Sequence, residues 1–147
     1  GIATRTERLV RTAKAVNPKI NILTTRKVFP GTKALSIKAI LAGGAYPHRL
    51  GLSETILLFE QHIAAIGGFK NLPKIVENIL ENDCEKQILI EVNNADEARQ
   101  IMALPIHGIQ YDKFPPATLT KIVAEVSASN PQLIQLAAGG IHLQNAA

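Results

Sequence analysis

The chain has 147 residues, enough for one domain with a buried core. Hydrophobic residues make up 46% of the sequence and charged residues 19%, a balance that excludes an intrinsically disordered protein. The formal net charge of +4 favours an anionic partner, whereas an aromatic content of 4% argues against a stacking platform for single-stranded nucleic acid. We therefore expect a small-molecule partner and no nucleic acid.

The sequence also limits the compartment. Its single cysteine, Cys84, excludes an internal disulfide bond and a zinc site built from several cysteines. No apolar stretch approaches the roughly 20 residues of a membrane span, and the first residues lack the basic start and apolar centre of a signal peptide. We expect a cytoplasmic protein with no membrane partner.

Helical and extended patterns alternate along the chain. A first helix, capped by Thr4 or Thr6, is predicted to end at Asn17-Pro18, and its basic residues are most simply a solvated face. The later elements, in chain order, are a strand at 20–24, a helix from Pro30-Gly31-Thr32 to Gly43-Gly44 with Leu35, Ile40 and Leu41 in its apolar set, a strand at 55–59, a helix at 72–80, a strand at 88–92, a helix at 95–103, a strand at 109–111, a helix at 115–126 and a strand at 133–137.

This order of elements predicts an α/β fold with a parallel sheet, because each of the first four strands is followed by a helical crossover. The runs 55–59 and 88–92 are apolar at consecutive positions, which is typical of strands buried on both faces. Five strands are too few for a closed eight-stranded barrel. The chain also begins with a helix that no strand precedes, so we expect it to be truncated at both ends.

Polar residues or glycines follow every predicted strand, at the edge where parallel α/β folds bind ligands. In chain order they are Arg26-Lys27, Glu60-Gln61-His62, Glu91, Asp112-Lys113 and Gly139-Gly140. Arg26 and Lys27 suit phosphate or carboxylate oxygens, and the glycine pair suits a strand-to-helix turn whose amides face a phosphate. A solvated loop and a plain turn are the alternatives. We expect His62 to be a hydrogen-bonded structural residue.

A glycine-flanked loop and two carboxylates complete the candidate site. His48 and Arg49 lie in the loop between a helix and a strand, where glycines permit close approach of a ligand. Glu91 and Asp112 lie on or at the end of apolar strands, where an unpaired carboxylate is costly to bury. Mg²⁺ carried in with a diphosphate would satisfy both carboxylates. A salt bridge to Lys27 or Arg49 is the alternative.

Two long motifs carry a family resemblance. They are Thr25-Arg26-Lys27-Val28-Phe29-Pro30-Gly31 and His48-Arg49-Leu50-Gly51-Leu52-Ser53, with shorter matches at Gly1-Ile2-Ala3-Thr4, Gly43-Gly44, Gln61-His62, Glu91, Asp112 and Ala138-Gly139-Gly140-Ile141. On these segments the chain resembles the quinolinate phosphoribosyltransferase (nicotinate-nucleotide pyrophosphorylase) superfamily. Within it, the chain is similar to the pyrophosphorylases called ModD, which are encoded with molybdate transport systems.

The resemblance implies an open, partial TIM-like α/β barrel over residues 1–147. In the family this barrel is preceded by a small α/β domain and completed by a dimer partner. The implied activity is that of a glycosyltransferase, which moves a phosphoribosyl group from phosphoribosyl diphosphate to a nitrogenous acceptor with Mg²⁺ and releases diphosphate. An oxocarbenium-like transition state would be stabilised by positioning and electrostatics rather than by a covalent nucleophile.

The resemblance also implies roles for the site residues by their position in the motifs. Arg26, His48 and Arg49 would hold a carboxylate of the acceptor, and Lys27 would lie beside the reacting groups. Glu91 and Asp112 would face the ribose and the metal, whereas Gly139-Gly140 would face the 5′-phosphate.

Three departures from the family pattern change the expected acceptor. The run from Phe59 to His62 stands where the quinolinate enzymes carry Lys-Asp-Asn-His, Pro47 replaces an Asn, and Leu136 replaces an acidic residue. The pocket is therefore less cationic and does not suit a pyridine dicarboxylate. The alternative function is a non-catalytic oxyanion-binding protein that serves molybdate uptake, which would need neither Glu91 nor Asp112 to organise Mg²⁺ and ribose.

Overall fold

The computed structural model describes residues 1–51, 54–83 and 85–147, in two compact units. The first unit (residues 1–52 with 141–147) contains α1 Ile2–Val16, β1 Leu23–Thr24, α2 Lys33–Ala42 and β2 Tyr46–Pro47. The second unit (residues 53–140) contains β3 Thr55–Leu58, α3 Glu60–Ala65, a 3₁₀ turn Phe69–Asn71, α4 Leu72–Asn82, β4 Gln87–Val92, α5 Ala95–Ile101, β5 Gly108–Asp112, α6 Pro116–Ser129 and β6 Ile134–Ala138. Cys84 and the Leu52-Ser53 end of the second motif lie outside the described residues.

The first unit is a pair of packed helices with a two-stranded parallel sheet. β1 and β2 pair over two residues each, with Leu23 opposite Tyr46 and Thr24 opposite Pro47. α2 ends at Ala42 before the predicted Gly43-Gly44 stop. Its buried face consists of Ser36 and Ile40, which are one helical turn apart.

Three predictions for this unit were wrong in detail. α1 begins at Ile2 with Gly1 as its N-cap, so Thr4 and Thr6 lie inside the helix, and Thr6 is partly buried against the preceding end of Gly43. The strand predicted at 20–24 is reduced to Leu23–Thr24, because its partner β2 offers only two residues for pairing. Leu35 is 73% exposed, since a helix of this kind buries one stripe and not every apolar position.

The second unit is a four-stranded parallel sheet in the order β3-β4-β5-β6. Successive strands are neighbours and are connected through helices, which confirms the predicted parallel α/β fold. The core between sheet and helices consists of Ile63, Leu72, Val76, Ile88, Ile90, Val92, Ala98, Ile101, Ile106, Ile109, Tyr111, Ile122, Val126 and Leu133. β4 is buried on both faces, as its apolar run predicts, because Leu89 on the opposite face is 3% exposed.

Two features of the second unit differ from the sequence prediction. β3 lies at an edge of its sheet, and Leu57 is its only residue classed as buried among those described. The short helix α3 was not predicted, because six residues carry too little periodicity to be recognised. No helix in the described part of the chain is long and apolar enough to cross a membrane.

Candidate functional site

Four predicted binding residues lie on the segments that leave one edge of the two-stranded sheet. β1 and β2 run parallel, so their carboxyl ends share that edge, and the amide of His48 donates to the carbonyl of Thr24 over 3.0 Å. Arg26 and Lys27 follow β1 and are exposed, whereas His48 and Arg49 follow β2 and are half-buried. The structure thus brings the TRK and HRL motifs to neighbouring strand ends of the first unit.

The first unit is strongly cationic. Its charged side chains are Arg5, Arg8, Arg11, Lys14, Lys19, Arg26, Lys27, Lys33, Lys38 and Arg49 against the single carboxylate of Glu7. Glu7 pairs with Arg11 at 3.5 Å, and Lys33 Nζ donates to the carbonyl of Leu50 over 2.8 Å. Such an excess of one sign attracts anions across about one Debye length, ~8 Å at physiological ionic strength.

His48 does not add to this positive charge at neutral pH. Burial, reinforced by the positive charge of Arg49, lowers the pKa of the His48 imidazole below its ordinary value of 6.5. The ring is therefore neutral at pH 7 and offers one donor and one acceptor nitrogen. It suits recognition by hydrogen bonds, while Arg49 beside it supplies charge.

A cavity of about 640 Å³ lies in the first unit between α1, the end of β1 and α2. Its described lining includes Thr24, Thr25, Lys27 and Phe29, but not Arg26 or His48. Lys27 therefore contacts an apolar-walled space that its neighbour in the motif does not reach.

Glu91 and Asp112 share one face and one edge of the second unit's sheet. Residues of a strand alternate between faces, and Ile109 and Tyr111 of β5 pack into the helix-covered core. Gln110 and Asp112 therefore lie on the opposite face, and Glu91 joins them because it pairs in register with Gln110. Both carboxylates are half-buried at the carboxyl ends of their strands.

Asp112 is held by its neighbours on two strands. Lys113 Nζ lies 2.9 Å from Asp112 Oδ2, and the Lys113 amide donates to the carbonyl of Ala138 over 2.8 Å. Lys113 itself has a φ of 54°, an uncommon value for a residue with a side chain. A β-carbon on Gly139 would overlap Asp112 Oδ1 and lie 2.6 Å from Lys113 Cγ. The turn after β6 is thus pressed against the end of β5.

The environment of Glu91 favours its neutral form. Burial is the main cause that raises the pKa of the Glu91 carboxyl, and the negative charges of Asp112 and Glu60 add to it. A hydrogen bond of 2.5 Å from Gln110 Nε2 to Glu91 Oε2 and the positive charge of Lys113 act in the opposite direction. Binding a cation or hydroxyl donors would therefore relieve a carboxylate that burial disfavours.

The glycine pair forms an exposed turn, but the predicted helix after it was wrong. Gly139 and Gly140 have φ values of 74° and 73°, so both backbones are left-handed. The following residues form a turn at 143–145, closed by a hydrogen bond from the His142 amide to Asn145 Oδ1 over 2.7 Å. Any phosphate at this turn would be held by backbone amides without help from a helix dipole.

The donor set fits a magnesium ion that arrives with its substrate, but it does not form a complete ion site. Glu91 and Asp112 offer two carboxylates on one face, of which Asp112 already pairs with Lys113. No cluster of three or more His, Cys, Asp or Glu side chains suited to a metal occurs among the described residues. Mg²⁺ commonly takes one or two carboxylates and completes its shell with phosphate oxygens and water.

Comparison with known proteins decides the family. The family model described as "Quinolinate phosphoribosyl transferase, C-terminal domain" matches residues 2–147. The chain belongs to this family. It is 37% identical over its whole length to "Putative pyrophosphorylase ModD" of Rhodobacter capsulatus, and covers 56% of that protein. It is 33% identical to "Probable nicotinate-nucleotide pyrophosphorylase (carboxylating)" of Methanocaldococcus jannaschii, where 99% of the chain covers 52% of the relative.

A solved structure gives the same result for the fold. The nicotinate-nucleotide pyrophosphorylase from Francisella tularensis superposes with a TM-score of 0.85 at 29% identity, over 99% of this chain and 49% of that protein. The fold is therefore that of a quinolinate phosphoribosyltransferase barrel, as its motifs predict. The chain spans about half the length of the relatives it matches.

Two of the departures from the family pattern have a structural account. His62 Nδ1 accepts a hydrogen bond from the Phe59 amide over 3.0 Å and so caps α3, which confirms its predicted structural role. Leu136 pairs with Gln110 in the register of β5 and β6, on the face that carries Glu91. An apolar side chain thus lies at the level of the two polar ones.

Sequence reasoning missed Gln110 as a site residue and treated Lys113 only as a polar residue at a strand end. The signal for Gln110 is its place between Ile109 and Tyr111, since a polar residue inside an apolar strand marks the face turned away from the helices. The ion pair of Lys113 with its own neighbour depends on the left-handed backbone at Lys113, which no sequence pattern announces.

Proposed function

We propose that this chain is the catalytic barrel portion of a phosphoribosyltransferase, which transfers a phosphoribosyl group between phosphoribosyl diphosphate and a nitrogenous acceptor. The observation that carries the proposal is the pair Glu91 and Asp112, two half-buried carboxylates on one face at the carboxyl edge of a parallel sheet, with the Gly139 turn against Asp112. That edge is where α/β folds bind their ligands. Family membership supports the same reaction class.

Each group of residues has a task in this reaction. Arg26, His48 and Arg49 hold an anionic or hydrogen-bonding part of the acceptor, and Lys27 stabilises negative charge near the reacting atoms. Glu91 and Asp112 accept hydrogen bonds from ribose hydroxyls and provide two ligands for Mg²⁺. Bound Mg²⁺ would neutralise the diphosphate as it leaves.

The backbone and the assembly contribute to the proposal as well. The exposed amides of Gly139 and Gly140 bind the 5′-phosphate in the turn that follows β6. The family resemblance extends the proposal to a homodimer that completes the barrel. The names of the ModD relatives add a proposed link to molybdenum transport.

The second candidate is a non-catalytic protein that binds molybdate or another oxyanion. The positive charge of the first unit favours it, because ten cationic side chains stand there against Glu7. Such a protein would use Arg26, Lys27 and Arg49 and would have no need of Glu91 or Asp112.

Thermal stabilisation separates the two candidates, because a ligand that binds the folded protein raises its stability by about 2.7 kcal/mol at a hundredfold excess over its Kd. The protein is heated with phosphoribosyl diphosphate, with and without Mg²⁺, and with molybdate. We expect phosphoribosyl diphosphate to raise Tm, Mg²⁺ to increase the shift, and Asp112→Asn to remove the increase. Stabilisation by molybdate alone, unchanged in Asp112→Asn, would favour the oxyanion-binding protein.

A further inference from the structure

A buried glutamine lies beside the carboxylate that the proposed reaction needs. Gln110 is 9% exposed, and its side-chain amide donates to Glu91 Oε2 over 2.5 Å. The two residues face each other in register on the central strands β4 and β5. Backbone pairing on rigid strands therefore sets the distance between their side chains.

The hydrogen bond occupies one oxygen of Glu91 and fixes the plane of its carboxylate. On the other side of Gln110, the neighbouring strand presents Leu136, which offers no hydrogen bond. The Gln110 amide is thus directed toward Glu91 by what surrounds it. A carboxylate oriented in this way presents its remaining oxygen, Oε1, toward the space beyond the strand ends.

We propose that Gln110 is a positioning residue, which holds Glu91 so that Oε1 accepts a hydrogen bond from a hydroxyl of the sugar in a pentose phosphate. This inference rests on the proposed function, in which Glu91 faces the ribose. It adds a residue that acts on the sugar only through Glu91. The preorganised carboxylate saves the cost of ordering a flexible side chain when the sugar binds.

A second glutamine on the same sheet provides a matched control. Gln135 accepts a hydrogen bond from Tyr111 Oη over 2.7 Å and donates to Ser127 Oγ over 2.8 Å. These contacts lie on the helix-covered face, so Gln135 supports packing and does not contact Glu91. Replacing either glutamine by methionine removes a polar side chain of similar volume from neighbouring strands.

The test compares two ligands that share a phosphate. Ribose 5-phosphate carries the sugar hydroxyls, and methyl phosphate lacks them, so the ratio of their Kd values measures recognition of the sugar. Calorimetric titration gives this ratio for the wild type, Gln110→Met and Gln135→Met. We expect Gln110→Met to lower the preference for ribose 5-phosphate about tenfold, because a hydrogen bond to a charged group is lost from the bound state. Methyl phosphate should bind all three proteins equally.

Two further variants make the result specific. Gln110→Asn keeps the amide but is one methylene too short to reach Glu91, so it should lower the preference as Gln110→Met does. In a Glu91→Gln background, Gln110→Met should cause no further loss, since the effect runs through Glu91. A further loss there, or an unchanged preference in Gln110→Met and Gln110→Asn, overturns the inference while the proposed function stands. A wild type without preference for ribose 5-phosphate overturns both.

Discussion

Gly139 lies against the carboxylate of Asp112 so closely that no β-carbon fits between the two residues. The contact joins the turn after β6 to the end of β5, where the Lys113 amide donates to the carbonyl of Ala138. A glycine is thus required at this position for two reasons, its left-handed φ of 74° and the absence of space. The geometry of the candidate phosphate turn and the position of Asp112 therefore depend on each other.

The variants Gly139→Ala and Gly140→Ala separate these two reasons. Their φ values are 74° and 73°, but a β-carbon on Gly140 would meet no atom within 4 Å. We expect Gly140→Ala to cost about 1 kcal/mol of unfolding free energy through backbone strain alone, and Gly139→Ala to cost at least about twice that. Urea unfolding of both variants measures the difference. Equal losses would contradict the close contact with Asp112.

Tyr111→Phe should change stability at alkaline pH. Burial raises the pKa of the Tyr111 hydroxyl to about 12, whereas a tyrosine in the unfolded chain titrates near 10. The folded state keeps its proton in this interval, so Tyr111 stabilises the fold below about pH 10 and loses that contribution as pH rises toward about 12. Tyr111→Phe should therefore lose less stability over this interval than the wild type does.

At neutral pH the same variant should be less stable by about 1 kcal/mol, because Gln135 Oε1 loses its hydrogen bond from Tyr111 Oη. Urea unfolding at neutral and alkaline pH measures both effects. The exposed tyrosine at position 46 provides a control, and Tyr46→Phe should leave the neutral-pH stability near that of the wild type. Parallel pH profiles for Tyr111→Phe and the wild type would argue against the burial of this hydroxyl.

His48 should make the protein less stable in mild acid. Its folded-state pKa lies below 6.5 because of burial and, second, the charge of Arg49. The unfolded chain therefore binds more protons between the folded pKa and about 6.5, and stability falls as pH is lowered through this interval. We expect His48→Gln to flatten that part of the stability profile and Arg49→Gln to reduce its slope. A His48→Gln profile that follows the wild type would contradict the assignment.

The parts of the fold that the sequence predicted well are those in which side-chain pattern and burial agree. The consecutive apolar residues of β4 and the glycines after α2 act locally, so each could be recognised without knowing its neighbours. β2 was missed because Tyr46–Pro47 becomes a strand only by pairing with β1. Its two residues have no period of their own.

The candidate site shows the same division. Strand ends with polar residues were found from sequence, since every strand of a parallel sheet ends at the same edge. The contact of Glu91 with Gln110 depends on the register of two strands 19 residues apart, and sequence periodicity contains no register. The predicted helix after Gly139-Gly140 failed because a glycine turn is compatible with several continuations.

Lys27→Ala and Asp112→Asn test the roles in catalysis. Lys27 is exposed and lines the cavity of the first unit, and Asp112 is half-buried beside Lys113 and Gly139, so neither substitution removes apolar packing. We expect both variants to fold and to lose at least about a hundredfold in turnover, because each removes a charge aimed at reacting or metal-bound atoms. Diphosphate release from phosphoribosyl diphosphate, measured across nitrogenous acceptors, gives the rates, and circular dichroism checks folding.

Lys38→Ala is the matched control for charge, because Lys38 is an exposed lysine of the same unit on α2 and carries no proposed role. If general attraction of anions by the first unit were the only contribution of Lys27, both lysine variants would weaken kcat/KM by the same small factor, and added salt would remove the difference. A direct role at the reacting atoms predicts instead that Lys27→Ala lowers kcat and that salt does not restore it. Wild-type turnover in both Lys27→Ala and Asp112→Asn would refute the assigned roles.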